Sequence, residues 1–289
     1  MSTSTPAPRY WSPWLAAFAA LWLAIFWLVC RGRAVDPAGL ASEHWGLILV
    51  GFCGAVLGNA TAVGGGLIFV PYMMFFYDLS AVDSLKLALA TQAFGMSSGA
   101  LAWMRSSSQG ATHELALRLS PALLCGIVVS TVLVRPSPGL VKSLFGPVSI
   151  GIGVLMLYLA LRRRSTTADG TPEATAGLAI AAVAGAALTG WAAVGVGEVV
   201  AAWMMLRQRT GAQTAVGLGV VLLALCSIVL ALVHWLFLGG LPWELAGFVI
   251  LGAVFGARLG PVVAAWLPPR GLKTVFGAVA IFDGILMSI

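Results

Sequence analysis

Long apolar runs, separated by short polar linkers, constrain this chain more than any other feature. A first run extends from Trp14 to Val29, and eight more follow it. A helix needs about 20 apolar residues to cross a bilayer, and six of the later runs have that length. Only 9% of the 289 residues are charged, whereas soluble domains carry about 25%. We therefore predict an all-α polytopic membrane protein. The later runs fall at 46–76, 84–104, 116–134, 143–161, 177–206, 214–238, 244–267 and 273–289.

The first run is predicted to be an extra N-terminal helix. It ends in Val29, Cys30 and Arg31, whereas a cleaved signal peptide ends in small residues. Residues 1–45 are therefore assigned to a polar tail and one uncleaved transmembrane helix. All four cysteines lie in apolar stretches without metal-ligand spacing, so we expect packing and no disulfide, metal or other cofactor.

Two runs are too long for one crossing and too short for two. Residues 46–76 and 177–206 each hold about 30 residues, and glycines interrupt both near the middle. The stretch from Gly54 to Gly66 aligns without gaps to the stretch from Gly185 to Gly197. Three plain helices follow each segment in the same order, so we predict an internal duplication of the kind that transporters carry. The predicted units are a first transmembrane repeat at 46–161, a cytoplasmic linker at 162–176 and a second repeat at 177–289.

The basic residues distinguish two topologies. If each broken segment crosses the bilayer fully, eight basic residues lie on the side of the N-terminus and seven on the other. If each is a re-entrant hairpin, the split is ten to five, which obeys the positive-inside rule. We therefore favour re-entrant segments, inverted repeats, a cytoplasmic N-terminus and an outer C-terminus. The ten residues are Arg9, Arg105, Arg118, Arg162, Arg163, Arg164, Arg207, Arg209, Arg270 and Lys273.

Three consecutive glycines mark the centre of the first broken segment, and they end at Gly66. Each glycine disfavours helix by roughly 1 kcal/mol relative to alanine and lets the backbone approach a ligand closely. A helix that restarts at Leu67 would direct its free N–H groups at this tip, which suits an anion. Pro71 would help to shape that half-helix. The alternative is that the glycines only permit tight helix packing.

The glycine run, Pro71 five residues later, the stretch from Ala88 to Thr91 and the two-fold repeat together resemble the TauE/SafE sulfite-exporter-like family of anion transporters. The resemblance covers about residues 46–289. It implies transport of sulfite, sulfonates or other small organic anions across the bacterial inner membrane. The second copy departs from the motif, because Glu198 follows its glycines and Ala202 stands in the position of the proline.

Ionisable residues at membrane depth are functional candidates. Glu198, beside the second glycine tip, is the candidate proton-coupling group, with a structural hydrogen bond or ion pair as the alternative. Arg258 is the candidate ion-pair partner or anion clamp, and it could equally extend to the cytoplasmic interface. Polar side chains near the tips could donate hydrogen bonds to an oxyanion, although helix packing is the simpler explanation for each one alone. The candidate substrate-binding residues are Gly64, Gly65, Gly66, Asn59, Thr61, Thr91, Gln92, Gly195 and Gly197.

Other polar and aromatic residues are assigned to the membrane interface. Lys86 lies near the start of a span and His234 near the end of one, so both are expected to reach the interface. Tryptophans near span ends are typical of interfacial belts, and we assign them no chemistry. These are Trp11, Trp14, Trp45, Trp103, Trp243 and Trp266.

The leading functional hypothesis is a secondary transporter of a small anion that works by alternating access. A passive anion channel would share the fold, and a membrane-embedded enzyme is the remaining class. The sequence contains no Walker A motif and no H-E-x-x-H, and its G-x-S-x-G stretch from Gly95 to Gly99 lies inside an apolar run rather than at a strand-to-helix turn, so it predicts neither an ATP-driven pump nor an enzyme. The net charge of +6 comes from scattered residues, so we expect no nucleic-acid partner. The expected partners are the anion and the lipid bilayer, and a homo-oligomer stays open.

Overall fold

The computed structural model describes residues 13–33, 35–106, 110–161, 172–237, 239–266 and 268–288, and these residues form helices and no strands. The N-terminal tail and most of the 162–176 linker lie outside the described residues. Two helices continue into a π-helical turn, α6 to Leu133 and α9 to Gln208. The helices are α1 Pro13–Gly32, α2 Pro37–His44, α3 Gly46–Thr61, α4 Gly66–Phe76, α5 Ala81–Ser106, α6 Gly110–Val128, α7 Pro138–Leu161, α8 Ala176–Ala192, α9 Val196–Trp203, α10 Ala212–Phe237, α11 Trp243–Ala257, α12 Gly260–Trp266 and α13 Pro269–Leu286.

Four of the described helices are long and apolar enough to cross a membrane, and up to six if two bent pairs each count as one span. One bent pair is α2 with α3, at 54°, and the other is α11 with α12, at 46°. The second bend was not expected, because the sequence pattern had indicated a plain helix over 244–267. The four long spans are Pro13–Gly32, His113–Leu133, Pro138–Leu161 and Ala212–Phe237.

Matching backbone features recur 131 residues apart. Ala62 and Ala193 both end a helix in the left-handed conformation, with φ of 59° and 55°. Asp78 and Arg209 are also left-handed, and they stand at the same spacing. A left-handed residue commonly ends a helix through local backbone bonds, and such bonds close all four turns, for example from the Val63 N–H to the Gly58 carbonyl and from the Leu79 N–H to the Met73 carbonyl. The two broken segments therefore start and end their turns at aligned positions.

The long helices follow the same spacing. Helix α5 and helix α10 each contain 26 residues, and the first residue of α10 lies 131 positions after the first residue of α5. These two helices pack against each other, as α7 does against α13. The broken segments pack across the halves, since α3 contacts α11 and α8 contacts α6. Each half of the chain thus supplies part of the packing surface for the break in the other half.

Both broken segments bring distant residues of the same segment together. A Cβ placed on Gly185 would lie 2.6 Å from the Cα of Val196, whereas eleven residues of straight helix span about 16 Å. In the first segment, a Cβ on Gly54 would lie 2.9 Å from the ring of Phe69. The absence of side chains at these glycines lets the second part of each segment approach the first. Each break is therefore a turn rather than a simple kink.

Helix α1 packs antiparallel to α11 through a few side-chain contacts. Arg33 forms an ion pair with Glu244 at 2.6 Å near one end. Near the middle, Trp22 donates its indole N–H to the carbonyl of Gly247 at 2.8 Å. Most other residues of α1 are exposed or only partly buried, which fits a peripheral helix that faces lipid on its outer side.

Candidate functional site

The two broken segments meet backbone to backbone, and glycines make that contact possible. A Cβ on Gly64 would overlap the carbonyl oxygen of Ala193, and a Cβ on Gly66 would lie 2.6 Å from that of Ala192. In return, a Cβ on Gly197 would overlap the carbonyl oxygen of Ala62. Real Cβ atoms do not approach a carbonyl oxygen this closely, so these positions require glycine. Their main role in this conformation is close packing of one tip on the other.

The carboxylate of Glu198 joins the two tips, which are the breaks between α3 and α4 and between α8 and α9. One oxygen accepts the N–H of Gly64 in the first segment at 2.6 Å, and the other accepts the N–H of Gly195 in the second at 2.9 Å. Glu198 lies in the first turn of α9 and is fully buried. Each hydrogen bond to a charged acceptor contributes about 1.5–3 kcal/mol. A negative group here also lies near the positive N-terminal end of α9.

Backbone N–H groups, rather than a cation, hold this carboxylate. Within the described part of the chain, no Lys, Arg or His nitrogen lies within 4.0 Å of Glu198. The predicted ion pair with Arg258 is therefore not formed. Arg258 does not extend to the interface either, since it is 1% exposed. It lies at the bend between α11 and α12, where the helix turns away from a straight path to the membrane surface.

Gln92 connects the second tip to both long helices. Its amide nitrogen donates to the carbonyl of Ala193 at 2.6 Å, and its amide oxygen accepts the hydroxyl of Ser227 on α10 at 3.1 Å. Gln92 and Ser227 are both buried. Because buried polar groups without partners are costly, this chain of bonds fixes the left-handed turn relative to α5 and α10. Ser227 was not singled out from the sequence, where a lone serine in an apolar run carries no signal.

Thr189 is a second residue that the sequence did not indicate. Its hydroxyl donates to the carbonyl of Gly185 at 2.8 Å and accepts the N–H of Val196 at 3.0 Å. Thr189 is fully buried and satisfies a free N–H at the start of α9. The alignment of the two halves pairs it with Gly58, so the polar substitution within the repeat is the signal that could have identified it.

The remaining polar candidates near the first tip make local hydrogen bonds or none. The Asn59 amide donates to the carbonyl of Ala55 at 2.9 Å, and the Thr61 hydroxyl donates to that of Leu57 at 2.8 Å. The amide oxygen of Asn59 and the hydroxyl of Thr91 are buried without a partner. All three side chains are buried, so they are available to a ligand only if the tip opens.

Little free space is left at the first tip. A void of about 10 Å³ is bounded by Asn59, Gly65, Thr91 and Gln92, among others, and a cavity needs about 10–15 Å³ to hold one water molecule. Pro71 is buried within α4, five residues after Gly66. An oxyanion the size of sulfite does not fit this void, so binding there requires the segments to move apart.

A larger cavity lies away from the tips, between α1, α5, α10 and α11. Its volume is about 560 Å³, and apolar side chains form most of its wall. Lys86 and His234 line it and are 8% and 1% exposed. The expectation that both reach the interface is therefore wrong, because the neighbouring helices enclose them. Lys86 pairs with Asp83 at 3.0 Å, and neither ring nitrogen of His234 has a partner among the described residues.

Apolar spans around a polar centre of helix breaks define a multi-pass membrane protein. The protein-family model described as Sulfite exporter TauE/SafE matches residues 47–287. The chain therefore belongs to this family of membrane transporters, which confirms the resemblance found from the glycine motif. No curated protein and no solved structure gave a match. Helices α1 and α2 both precede the matched region.

Proposed function

We propose that this protein is a secondary transporter of a small anion, such as sulfite, a sulfonate or a related organic anion, in the bacterial inner membrane. The observation that carries the proposal is the buried Glu198 carboxylate, which accepts N–H groups from both broken segments. A site that binds a carboxylate through backbone N–H groups has the chemistry to bind another oxyanion. The family description, Sulfite exporter TauE/SafE, supports the same class of substrate.

Glu198 then acts as a tethered anion that competes with the substrate. While it is ionised, its oxygens occupy the N–H groups of Gly64 and Gly195. Protonation removes the charge, weakens both hydrogen bonds and releases these N–H groups for the substrate. The substrate and a proton would therefore be carried together, which makes Glu198 the proton-coupling residue.

For alternating access, the two tips would separate first towards one side of the membrane and then towards the other, so that the site opens to each side in turn. The recurrence of left-handed turns at Ala62 and Ala193, and the cross-packing of α3 on α11 and of α8 on α6, support two structural repeats. The charge distribution favours an inverted arrangement with re-entrant segments and a cytoplasmic N-terminus. In such transporters, one repeat moves against the other around a site near the midplane.

Replacing Glu198 with glutamine tests the coupling. We expect E198Q to transport methanesulfonate, whose charge does not change over the tested pH range, in proteoliposomes at a rate that no longer changes with pH, because the amide does not titrate. The matched control is Glu244→Gln, which removes a surface carboxylate in an ion pair with Arg33 and should leave the pH profile of flux intact. A pH profile of E198Q equal to that of the wild type would remove Glu198 from the mechanism.

The substrate class can be tested by ligand-induced stabilisation of the purified protein. A bound anion raises stability by RT ln(1 + [L]/Kd), so the preferred anion should raise the unfolding midpoint most at equal concentration. The panel is sulfite, sulfate, thiosulfate, sulfoacetate, taurine and several carboxylates. No selective shift at tens of millimolar would argue against an anionic substrate, whereas saturable flux of a stabilising anion would argue against a passive channel.

A further inference from the structure

Arg258 is a buried cation without an anion. It is 1% exposed, and its Nε and one terminal nitrogen have no hydrogen-bond partner among the described residues. No carboxylate in the described part of the chain lies within 4.0 Å of it. Arg105, which is also a cation, repels the guanidinium of Arg258 electrostatically. A buried guanidinium is costly unless it is paired and hydrogen-bonded, so this arrangement lacks a negative partner.

An aromatic ring occupies the place of that partner. The guanidinium carbon of Arg258 lies 4.6 Å from the ring centroid of Trp14, which belongs to α1. The sequence had indicated an interfacial role for Trp14, and the structure shows a contact with a buried cation instead. A cation–π contact leaves the N–H donors of the guanidinium unsatisfied, whereas an oxyanion would accept from two of them at once.

A route to this position exists through the large cavity. Trp14 lines the cavity of about 560 Å³, and so does Val254, one helical turn before Arg258. Ser97 and Ser98 also line it, and their hydroxyls donate to backbone carbonyls. Arg258 itself does not line the cavity, but the Trp14 ring, which does, contacts its guanidinium. Part of the rim is exposed, at Phe94 among others, which gives access from outside the helix bundle.

The covering residue comes from outside the family core. Helix α1 precedes the matched region 47–287 and contacts α11 through Trp14, Trp22, Phe26 and Arg33. It also contacts Phe94 of α5 through Phe18 and Trp22. A peripheral helix held by few contacts can shift with little loss of core packing. Displacement of Trp14 would expose Arg258 to the cavity without any change at the glycine tips.

We propose that Arg258 is the centre of a second anion site, which takes a small carboxylate or sulfonate from the cavity and which Trp14 covers in this structure. Neither Arg258 nor Trp14 lines the void at the first glycine tip, so the proposal does not depend on the function proposed for the tips. Anion binding and the Trp14 contact exclude each other, and α1 therefore opens or closes the site.

The test measures methanesulfonate binding to the detergent-purified full-length protein, from the unfolding midpoint as a function of ligand concentration at constant ionic strength. We expect Trp14→Ala to bind about ten-fold more tightly than the wild type, since the competing cation–π contact is lost. Trp27→Ala is the matched control, because this exposed ring on α1 makes a similar contact, 5.0 Å from Arg31, at the surface. It should bind as the wild type does.

Two further variants keep the proposal falsifiable. Adding Arg258→Gln to Trp14→Ala should remove the gain in affinity, whereas adding Arg118→Gln, which removes an exposed arginine that pairs with Glu114, should preserve it. If Trp14→Ala does not fold, Trp14→Phe should bind about three-fold more tightly than the wild type, because phenylalanine is a weaker cation–π partner. The proposal is overturned if neither Trp14 variant gains affinity, or if the gain persists without Arg258.

Discussion

At the scale of single residues, the three consecutive glycines have different surroundings. A Cβ on Gly66 would lie 2.6 Å from the Ala192 carbonyl oxygen and 2.7 Å from the Ala193 oxygen, both backbone atoms of the opposite tip. A Cβ on Gly65 would instead lie 2.6 Å from the outer ring carbon of Phe69, a side chain that can rotate. The sequence pattern alone does not distinguish the three glycines from one another.

We expect Gly66→Ala to be much more damaging than Gly65→Ala. Overpacking of this kind costs about 1–3 kcal/mol, and the backbone of the second tip cannot move aside without breaking the bonds of Gln92 and Glu198. The measurement is the unfolding midpoint of both variants, followed by anion flux. Equal effects of the two substitutions would show that the tips are not in the close contact described.

Thr189 permits a second comparison at residue scale. Thr189→Val leaves the buried N–H of Val196 without an acceptor, which costs about 1–3 kcal/mol. Thr61→Val is the matched control, because Thr61 donates to the carbonyl four residues earlier in the same way and accepts no backbone N–H. We expect Thr189→Val to lower the unfolding midpoint more than Thr61→Val does. A larger effect of Thr61→Val would contradict the role assigned to Thr189.

At the scale of helices, the packing of α5 on α10 depends on a polar connection as well as on apolar contacts. Gln92 bonds to the turn at Ala193 and to Ser227 on α10, so the two helices and the second tip form one hydrogen-bonded unit. Movement of either long helix would therefore move the tip. In the mechanism proposed above, this unit would transmit a change at Glu198 to the rest of the bundle.

A double-mutant cycle measures this connection. We expect Gln92→Ala and Ser227→Ala each to destabilise the protein, and their combination to cost about 1 kcal/mol less than the sum, because they share one hydrogen bond. Ser149→Ala on α7 is the control partner, since its buried hydroxyl has no hydrogen-bond partner in the structure. Additive effects of Gln92→Ala and Ser227→Ala would show that the two helices are not coupled through this bond.

At the scale of the whole molecule, the topology determines which surfaces face each side. Ser42 is exposed on the short helix α2, and Ser137 and Glu173 are exposed in the connections that precede α7 and α8. With re-entrant segments and a cytoplasmic N-terminus, Ser42 and Ser137 face outwards and Glu173 faces the cytoplasm. With full crossings, Ser137 and Glu173 exchange sides while Ser42 stays outside. These three positions therefore separate the two arrangements.

Labelling of single cysteines in a cysteine-free background tests the prediction. We expect a membrane-impermeant maleimide to label Ser42→Cys and Ser137→Cys in whole cells, and Glu173→Cys only after the cells are opened. Ser42→Cys serves as the control for orientation. Labelling of Glu173→Cys but not of Ser137→Cys in intact cells would reject the re-entrant, inverted arrangement in favour of full crossings.

Several features of the fold follow from local chemistry, and the sequence alone was sufficient to predict them. A run of about 20 apolar residues has to be helical at membrane depth, because its backbone polar groups have no other partners there. The predicted positions of the long helices agree with the structure, for example 84–104 with Ala81–Ser106. The repeated glycine motif also led to the family that the match over 47–287 confirms.

Contacts between distant parts of the chain decided the rest. The left-handed turns fall on Ala62 and Ala193 rather than on a glycine, and the opposite tip packs against the carbonyls of both residues. The pairing of Glu198 with Gly64, and the position of Trp14 over Arg258, join residues more than 130 positions apart. Hydropathy and spacing describe each segment by itself. Which polar groups meet inside the bundle depends on how the helices cross, and only the tertiary structure shows these crossings.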